Sequence, residues 1–373
     1  MNRKRIVLLG VGHTNAHVVK QWADDPIPDC DLVCISNFGS ATYSGMLPGT
    51  LGWQFSDDEM RIDLASLCAR SHAELVIADT CGIDLDAGQL LVRNGSPISF
   101  DALSIGVGSI PAGANQYSGV ESFVPIKPMQ TFLERLEKRL QSLDRTSNSN
   151  VRITIVGGGV ASVEIAFCLQ EQIRKRAMQR NVEIAIFTSD DSLAGGMTRR
   201  SVRRIEKLLN IRGIKVHYGH RVIEVDHQSI VTDDGVSHET ECVIWATGAA
   251  APPVLKRLGL TLDDRGFIAT SETLQSLSDP RIFAVGDSGT ILKSPSPKAG
   301  VYAVRQCPIL EHNLRAYLQG SPLHSFEPQS NFLKILNTGD GRALLEYKWF
   351  TAHARWCWKL KMWIDQKFVE SFR

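Results

Sequence analysis

The chain has 373 residues, long for one hydrophobic core, and two domains plus an appendage are expected. Apolar residues make up 43% and charged residues 22%, enough to bury a large core, and a net charge of +1 leaves no electrostatic footprint for a nucleic-acid partner. No run approaches the roughly 18 apolar residues that cross a bilayer.

In chain order, Met1-Asn2-Arg3-Lys4-Arg5 and then Ile6-Val7-Leu8-Leu9 imitate the charged and apolar parts of a signal peptide. The apolar run is too short, however, and passes into Gly10-Val11-Gly12 without a small-residue cleavage site. Arg5 to Leu9 is therefore read as a buried strand of a cytoplasmic protein. Gly10-Val11-Gly12-His13-Thr14-Asn15 then turns into a helix to about Ala23, and Leu32 to Ser36 is a second strand. This is the opening of a Rossmann unit, in which glycines let the backbone approach a pyrophosphate and helix amides receive its charge. Asn15 stands at the third glycine position, and Ser36-Asn37 replaces the usual acidic ribose partner.

Phe38 to Gly52, with Tyr43-Ser44-Gly45-Met46-Leu47-Pro48-Gly49, is a loop able to press against a planar ring. Arg61 to Arg70 reads as helix. Leu75 to Ala78, Gln89 to Val92 and Ile98 to Phe100 read as short strands, with Asn94-Gly95 as a turn. Asp101 to Ser109, ending in Gly106-Val107-Gly108, reads as a strand returning to the first sheet. The proline- and glycine-rich stretch from Pro111 to Pro128 marks a domain crossing.

Phe132, Leu136, Leu140 and Leu143 form one helical stripe. After a polar linker, Thr146 to Asn150, a second Rossmann unit follows. Arg152 to Val156 is its strand, Gly157-Gly158-Gly159-Val160-Ala161-Ser162 its turn, Val163 to Ala177 its helix and Val182 to Phe187 its next strand. Ser162 takes the third fingerprint position, and the strand ends in Thr188-Ser189, with neither acid nor arginine to choose between NADH and NADPH. Met197 to Leu209 is helical and carries Arg199, Arg200, Arg203 and Arg204, which could reach a 2′-phosphate but are read first as a solvated face.

Strands at Lys215 to His217, Val222 to Asp226, Ser229 to Thr232 and Cys242 to Ala246 lead to Thr247-Gly248, an exit beside which a dinucleotide could lie. Ala250 to Pro253 crosses back, and Phe267 to Val285 supplies a last strand to the first domain. Ile282-Phe283-Ala284-Val285-Gly286-Asp287 delivers Asp287 to a chain reversal. Pro297-Lys298-Ala299-Gly300 then opens a helix whose free amides suit the edge of a flavin that becomes anionic on reduction. The eight cysteines show no Cys-x-x-Cys pair and no zinc spacing, so no metal site is expected. Trp356 to Phe368 mixes tryptophans with lysines, as an interfacial helix does, and equally fits a tail packed over the first domain.

Together, Gly10-Val11-Gly12, Gly157-Gly158-Gly159 with Glu164, Ala246-Thr247-Gly248 and Ile282 to Asp287 resemble the two-dinucleotide-domain flavoproteins of the glutathione reductase superfamily. Within it the chain resembles type II NADH dehydrogenases and sulfide:quinone reductases. Tyr43 to Gly49, Pro297 to Gln306 and Phe332 to Phe372 resemble the NADH-dehydrogenase-like half of selenophosphate synthetase fusions. The likeness implies an α/β fold with two Rossmann-like dinucleotide-binding domains, the second inserted in the first. FAD would occupy 1–125 with 252–325, NAD(P)H 126–251, and 326–373 would be a C-terminal tail.

The likeness also implies FAD on Gly10, Gly12, His13, Thr14 and Asn15, its ribose near Ser36 and Asn37, and its ribityl near Asp287. Pro48, Gly108, Gly286, Lys298, Ala299 and Gly300 complete that site. NADH or NADPH would lie on Gly157, Gly159, Ser162, Thr188 and Gly248. Glu164 matches the family glutamate that faces nicotinamide and flavin, and Tyr302 and Gln306 would line the acceptor face. Where disulfide reductases carry a redox cysteine pair this chain has Tyr43 to Pro48, and Ala299 to Gln306 matches the quinone-side motif only loosely. Three functions follow: an NAD(P)H:quinone oxidoreductase, a sulfide or selenium-compound oxidoreductase using Cys307, and a flavin-dependent redox sensor. A small-molecule electron acceptor is expected, on a cytoplasmic protein that docks on a membrane face if the 356–372 segment is interfacial. The oligomeric state is open.

Overall fold

The computed structural model describes residues 3–144, 150–176, 181–329 and 331–373. Of the expected linker only Asn150 is described, and Ala177 also lies outside the described residues. The apolar run after the N-terminal charges forms the strand Lys4–Leu9, central in a five-stranded parallel sheet. The order is Ile282–Ala284, Ala102–Ile105, Lys4–Leu9, Cys30–Ser36, Glu74–Ile77. Ile6, Val7 and Leu8 are fully buried, as a parallel sheet covered on both faces requires.

A second parallel sheet repeats the pattern in the order Phe123–Pro125, Cys242–Trp245, Asn150–Val156, Asn181–Phe187, Lys215–His217. The chain crosses between the sheets as an antiparallel pair, Ile110–Pro111 against Ala249–Ala250. Phe123–Pro125 therefore belongs to the second sheet, although the division after 125 assigned it to the first. The proline-rich run around it suggested a linker, but an edge strand tolerates its Pro125. The helix Met129–Asp144 follows, with Phe132, Leu136, Leu140 and Leu143 buried.

Other boundaries shift as well. Arg61–Asp63 is a short strand, and the helix is Leu64–Arg70, begun where the Asp63 carboxylate accepts from the Ser66 amide at 2.8 Å. The expected strand from Phe267 to Val285 is two strands. Ile268–Thr270 pairs with Gly289–Ile291, and only Ile282–Ala284 joins the main sheet. The helix expected after Pro297 begins at Gly300, three residues beyond that proline, and runs to Gln319.

The C-terminal unit is a three-stranded antiparallel sheet, Lys334–Asn337, Ala343–Tyr347 and Phe350–Ala354, followed by the helix Arg355–Glu370. That helix turns Cys357, Trp358, Lys361, Asp365 and Val369 inward, and Trp358 lies 5.6 Å from Phe55 between ring centroids. Burying a side chain of that size stabilises the docking by about 2–3 kcal/mol. The helix therefore packs over the 43–55 segment while Trp356 and Trp363 stay outside. No helix among the described residues is long and apolar enough to cross a membrane.

Candidate functional site

The first cradle lies where Leu9 enters Gly10. Gly10 has φ +78°, and a Cβ there would stand 2.7 Å from the Gly106 carbonyl oxygen, so only glycine allows the two strand ends to approach. The helix His13–Asp24 follows with no side-chain cap, and its first internal bond runs from the Ala16 amide to the Gly12 carbonyl. Amides before Ala16 thus have no partner within the helix and can hold a phosphate. Gly108, also at positive φ, faces open space.

The Asn15 side chain turns into the fold. It is buried, its Nδ2 donates to the Gly10 carbonyl at 2.8 Å, and its Oδ1 accepts from Ser104 Oγ at 2.7 Å. An amide thus stitches together strand ends that a third glycine would let pack bare. Thr14 Oγ1 donates to the Ala303 carbonyl at 2.8 Å, tying the first helix to Gly300–Gln319. Ser36 Oγ turns back on Phe38, donating to its carbonyl at 2.9 Å and accepting from its amide at 3.2 Å, and Asn37 is exposed.

Asp287 leaves the strand end half-buried. Its Oδ2 accepts from Ser109 Oγ at 2.6 Å and lies 3.5 Å from Lys127 Nζ, which also donates to Ser109 at 2.7 Å. Gln306, expected at the acceptor face, instead uses its Oε1 to accept from the Gly286 amide at 2.6 Å, which fixes the turn presenting Asp287. Lys298 Nζ donates to the Gly289 carbonyl at 2.6 Å and to Thr290 Oγ1 at 2.8 Å, above the Phe267 ring. Burial pushes that ammonium down to about 8 against the pull of Asp287. Its contacts hold the 289–298 loop, and the helix start at Ala299 and Gly300 carries no side-chain cap.

Tyr302 is buried with its ring 5.9 Å from Phe332, edge to face. Cys307 is packed between the helices His13–Asp24 and Gly300–Gln319, where its thiol is 3.5 Å from the Ala303 carbonyl and 3.8 Å from that of His13. Burial pushes that thiol up to about 12. All eight cysteines are free, and all but Cys81 are buried.

The second cradle repeats the first. Gly157 has φ +127°, and a Cβ there would meet the Ala246 carbonyl oxygen at 2.3 Å. Gly159 and Gly248 face open space. Ser162 Oγ donates to the Ala246 carbonyl at 3.2 Å, holding the helix Val160–Arg176 to its sheet. Thr188 Oγ1 lies beneath Gly158 and accepts from the Asp190 amide at 3.2 Å.

Between the cradles, Glu164 accepts from the Asn337 amide at 2.8 Å. Burial raises its carboxyl to about 7, opposed by Lys361 and that amide. Lys361 Nζ donates to Asp365 Oδ2 at 2.8 Å and to the Gly45 carbonyl at 2.9 Å. The Tyr43 hydroxyl donates to Asp365 Oδ1 at 3.2 Å, and its ring stacks on Phe368 at 4.5 Å. His13 lies 5.4 Å from Tyr43, and its Nε2 is buried with no partner among the described residues. Burial pushes that imidazole down to about 4. Ser109, Lys127, Lys361 and Asp365 were missed in the sequence. Lys361 and Asp365 did carry a signal, opposite charges four apart inside a tryptophan-rich helix.

Two helix starts on parallel sheets, each entered through a glycine that admits no side chain, define a protein built for two dinucleotides. Asp287 and the Gly300 helix start fit a flavin at the first, since an acceptor and free amides are both present. The chain belongs to the pyridine nucleotide-disulphide oxidoreductase family, whose profile matches residues 4–306. It uses FAD and NAD(P)H and is an FAD-dependent NAD(P)H oxidoreductase.

Among its relatives, the NADH dehydrogenase-like protein YutJ of Bacillus subtilis is 22% identical over 90% of both chains. The sulfide:quinone oxidoreductase structure from Aquifex aeolicus superposes with a TM-score of 0.83 at 19% identity, covering 99% of this chain and 91% of that one. The NDH2 structure from Plasmodium falciparum in complex with NADH gives 0.78 at 14%, covering 99% and 98%.

Proposed function

We propose that this protein passes electrons from NAD(P)H, held on Gly157 to Ser162, by way of FAD on the first cradle to a quinone. FAD bound there supplies the two-electron chemistry, accepting hydride from the nicotinamide and releasing electrons to the acceptor. The protein's own groups do the rest. The amides at the start of His13–Asp24 hold phosphate, Asp287 accepts from a ribityl hydroxyl, and the Gly300 helix start stabilises negative charge. Glu164 stands at the beginning of the nucleotide-binding helix, and the C-terminal unit closes over it to exclude water.

The observation that carries the quinone reading is the state of Cys307. A sulfide or selenium-compound oxidoreductase needs a reactive thiolate, whereas this thiol is buried against two carbonyls and held protonated. Steady-state turnover with a short-chain quinone is expected to be unchanged within about twofold in Cys307→Ala, a cavity too small to disturb the site. Sulfide is expected to bleach neither protein. Loss of turnover in Cys307→Ala with the fold intact, or bleaching by sulfide in the wild type alone, would restore the thiol-based reading.

A membrane-borne quinone agrees with the outer face of the C-terminal unit. Trp349 is 83% exposed and Trp363 59%, with Phe350 and Trp356 also exposed and Lys367 above the Trp363 ring. Aromatic rings flanked by lysines suit the headgroup level of the cytoplasmic leaflet. Co-sedimentation with vesicles containing phosphatidylserine is expected to weaken about tenfold in Trp349→Ser combined with Trp363→Ser. Equal sedimentation of variant and wild type would remove the membrane from the account.

A further inference from the structure

We propose that Tyr43 and Asp365 form the proton relay that completes reduction of the acceptor. The inference rests on the quinone reading above. A quinone becoming a hydroquinone takes two electrons and two protons, while NAD(P)H becoming NAD(P)+ releases two electrons and one proton as hydride. One further proton must therefore reach an acceptor oxygen in each turnover, and in a site closed over by the C-terminal unit it has to travel through side chains.

The geometry supplies such a path. The Tyr43 hydroxyl reaches Asp365 Oδ1 at 3.2 Å, and Asp365 Oδ2 reaches Lys361 Nζ at 2.8 Å. The Lys361 and Asp365 side chains are only 10% and 5% exposed, so the pair is kept where two apolar residues would pack at no greater cost. The phenol also stands where the cofactor-holding elements converge. Its ring is 5.4 Å from His13, which opens the first cradle, and the Ser44 hydroxyl is 3.7 Å from the position of a Cβ on Gly300.

The titratable groups facing Tyr43 are His13 from the first helix, Glu164 from the nucleotide-binding helix, and Lys361 and Asp365 from the C-terminal helix, with Asp287 and Lys127 beyond His13. Burial, followed by the Asp365 carboxylate, raises the phenol well above its ordinary value. It therefore rests as a proton donor. In the relay the Tyr43 O–H bond breaks as an O–H bond forms on the reduced acceptor. The phenolate regains a proton from the Lys361 ammonium through the Asp365 carboxylate, and Lys361 regains one from solvent, so one solvent proton is consumed in each cycle.

The test compares holoprotein carrying Tyr43→Phe or Asp365→Asn with the wild type, using a short-chain quinone and ferricyanide, a one-electron acceptor that needs no proton. Quinone turnover is expected to fall about a hundredfold in both variants, with ferricyanide turnover and flavin content unchanged. Alkaline titration of tyrosinate absorbance gives a readout independent of turnover. The wild type should hold several phenols that resist ionisation, Tyr43→Phe should hold one fewer, and Asp365→Asn should ionise one of them at lower pH. Should Asp365→Asn misfold because Lys361 loses its partner, Tyr43→Phe still decides. Undiminished quinone turnover in Tyr43→Phe overturns the relay. A wild type that reduces ferricyanide but no quinone instead fails the functional reading, and the relay falls with it.

Discussion

Replacing Gly159 with glutamate is expected to leave the purified protein yellow but to raise the NAD(P)H concentration needed for half-maximal flavin reduction by about a hundredfold, close to 2.7 kcal/mol of binding. Gly159 is the last glycine before Val160–Arg176, and a Cβ there meets nothing within 4 Å, so the fold has room for a longer side chain. On the proposed nucleotide site that room is where a pyrophosphate would approach the helix-start amides, and a carboxylate placed in it would oppose the same charge those amides attract. Gly157→Val is a poorer probe, because its Cβ would collide with the Ala246 carbonyl and strain the second sheet. Titration of anaerobic flavin bleaching by NADH and by NADPH measures the effect. Unchanged titrations with both would mean that the nucleotide lies elsewhere.

Asp287→Ala is expected to lose FAD, with affinity falling about thirtyfold, roughly the 2 kcal/mol of a hydrogen bond to a charged group. Its carboxylate gathers Ser109 and Lys127, and the turn presenting it is held by Gln306. Without the acid, Lys127 keeps Ser109 but has no counter-charge at the strand end. Recovery of flavin fluorescence on dilution of holoprotein gives the dissociation constant. An Asp287→Ala protein that keeps FAD as tightly as the wild type would contradict the ribityl assignment. Together the two variants separate the cradles, since one should lose nucleotide and the other flavin.

The frame was legible because parallel strands buried on both faces are nearly continuous apolar runs, and Ile6 to Leu9 and Ile153 to Val156, the latter interrupted only by Thr154, are such runs ahead of glycine turns. The roles of individual polar residues were less legible. Asn15 and Gln306 stand at motif positions, yet the structure uses both on backbone groups within the fold, which no spacing reveals. The Tyr43–Asp365–Lys361 cluster joins residues more than 300 positions apart, and only the docking of the C-terminal helix brings them together. Lys127 was hidden in a stretch read as linker, because an edge strand carrying prolines looks like a crossing.

The most direct test is a single anaerobic sequence in a stopped-flow cell. Stoichiometric NADH or NADPH is mixed with holoprotein, followed by a short-chain quinone. The account predicts that the flavin band bleaches fully with one nucleotide per flavin and that quinone restores it in one phase, with hydroquinone formed in equal amount. A protein that binds no FAD, or whose flavin neither nucleotide bleaches, would contradict it.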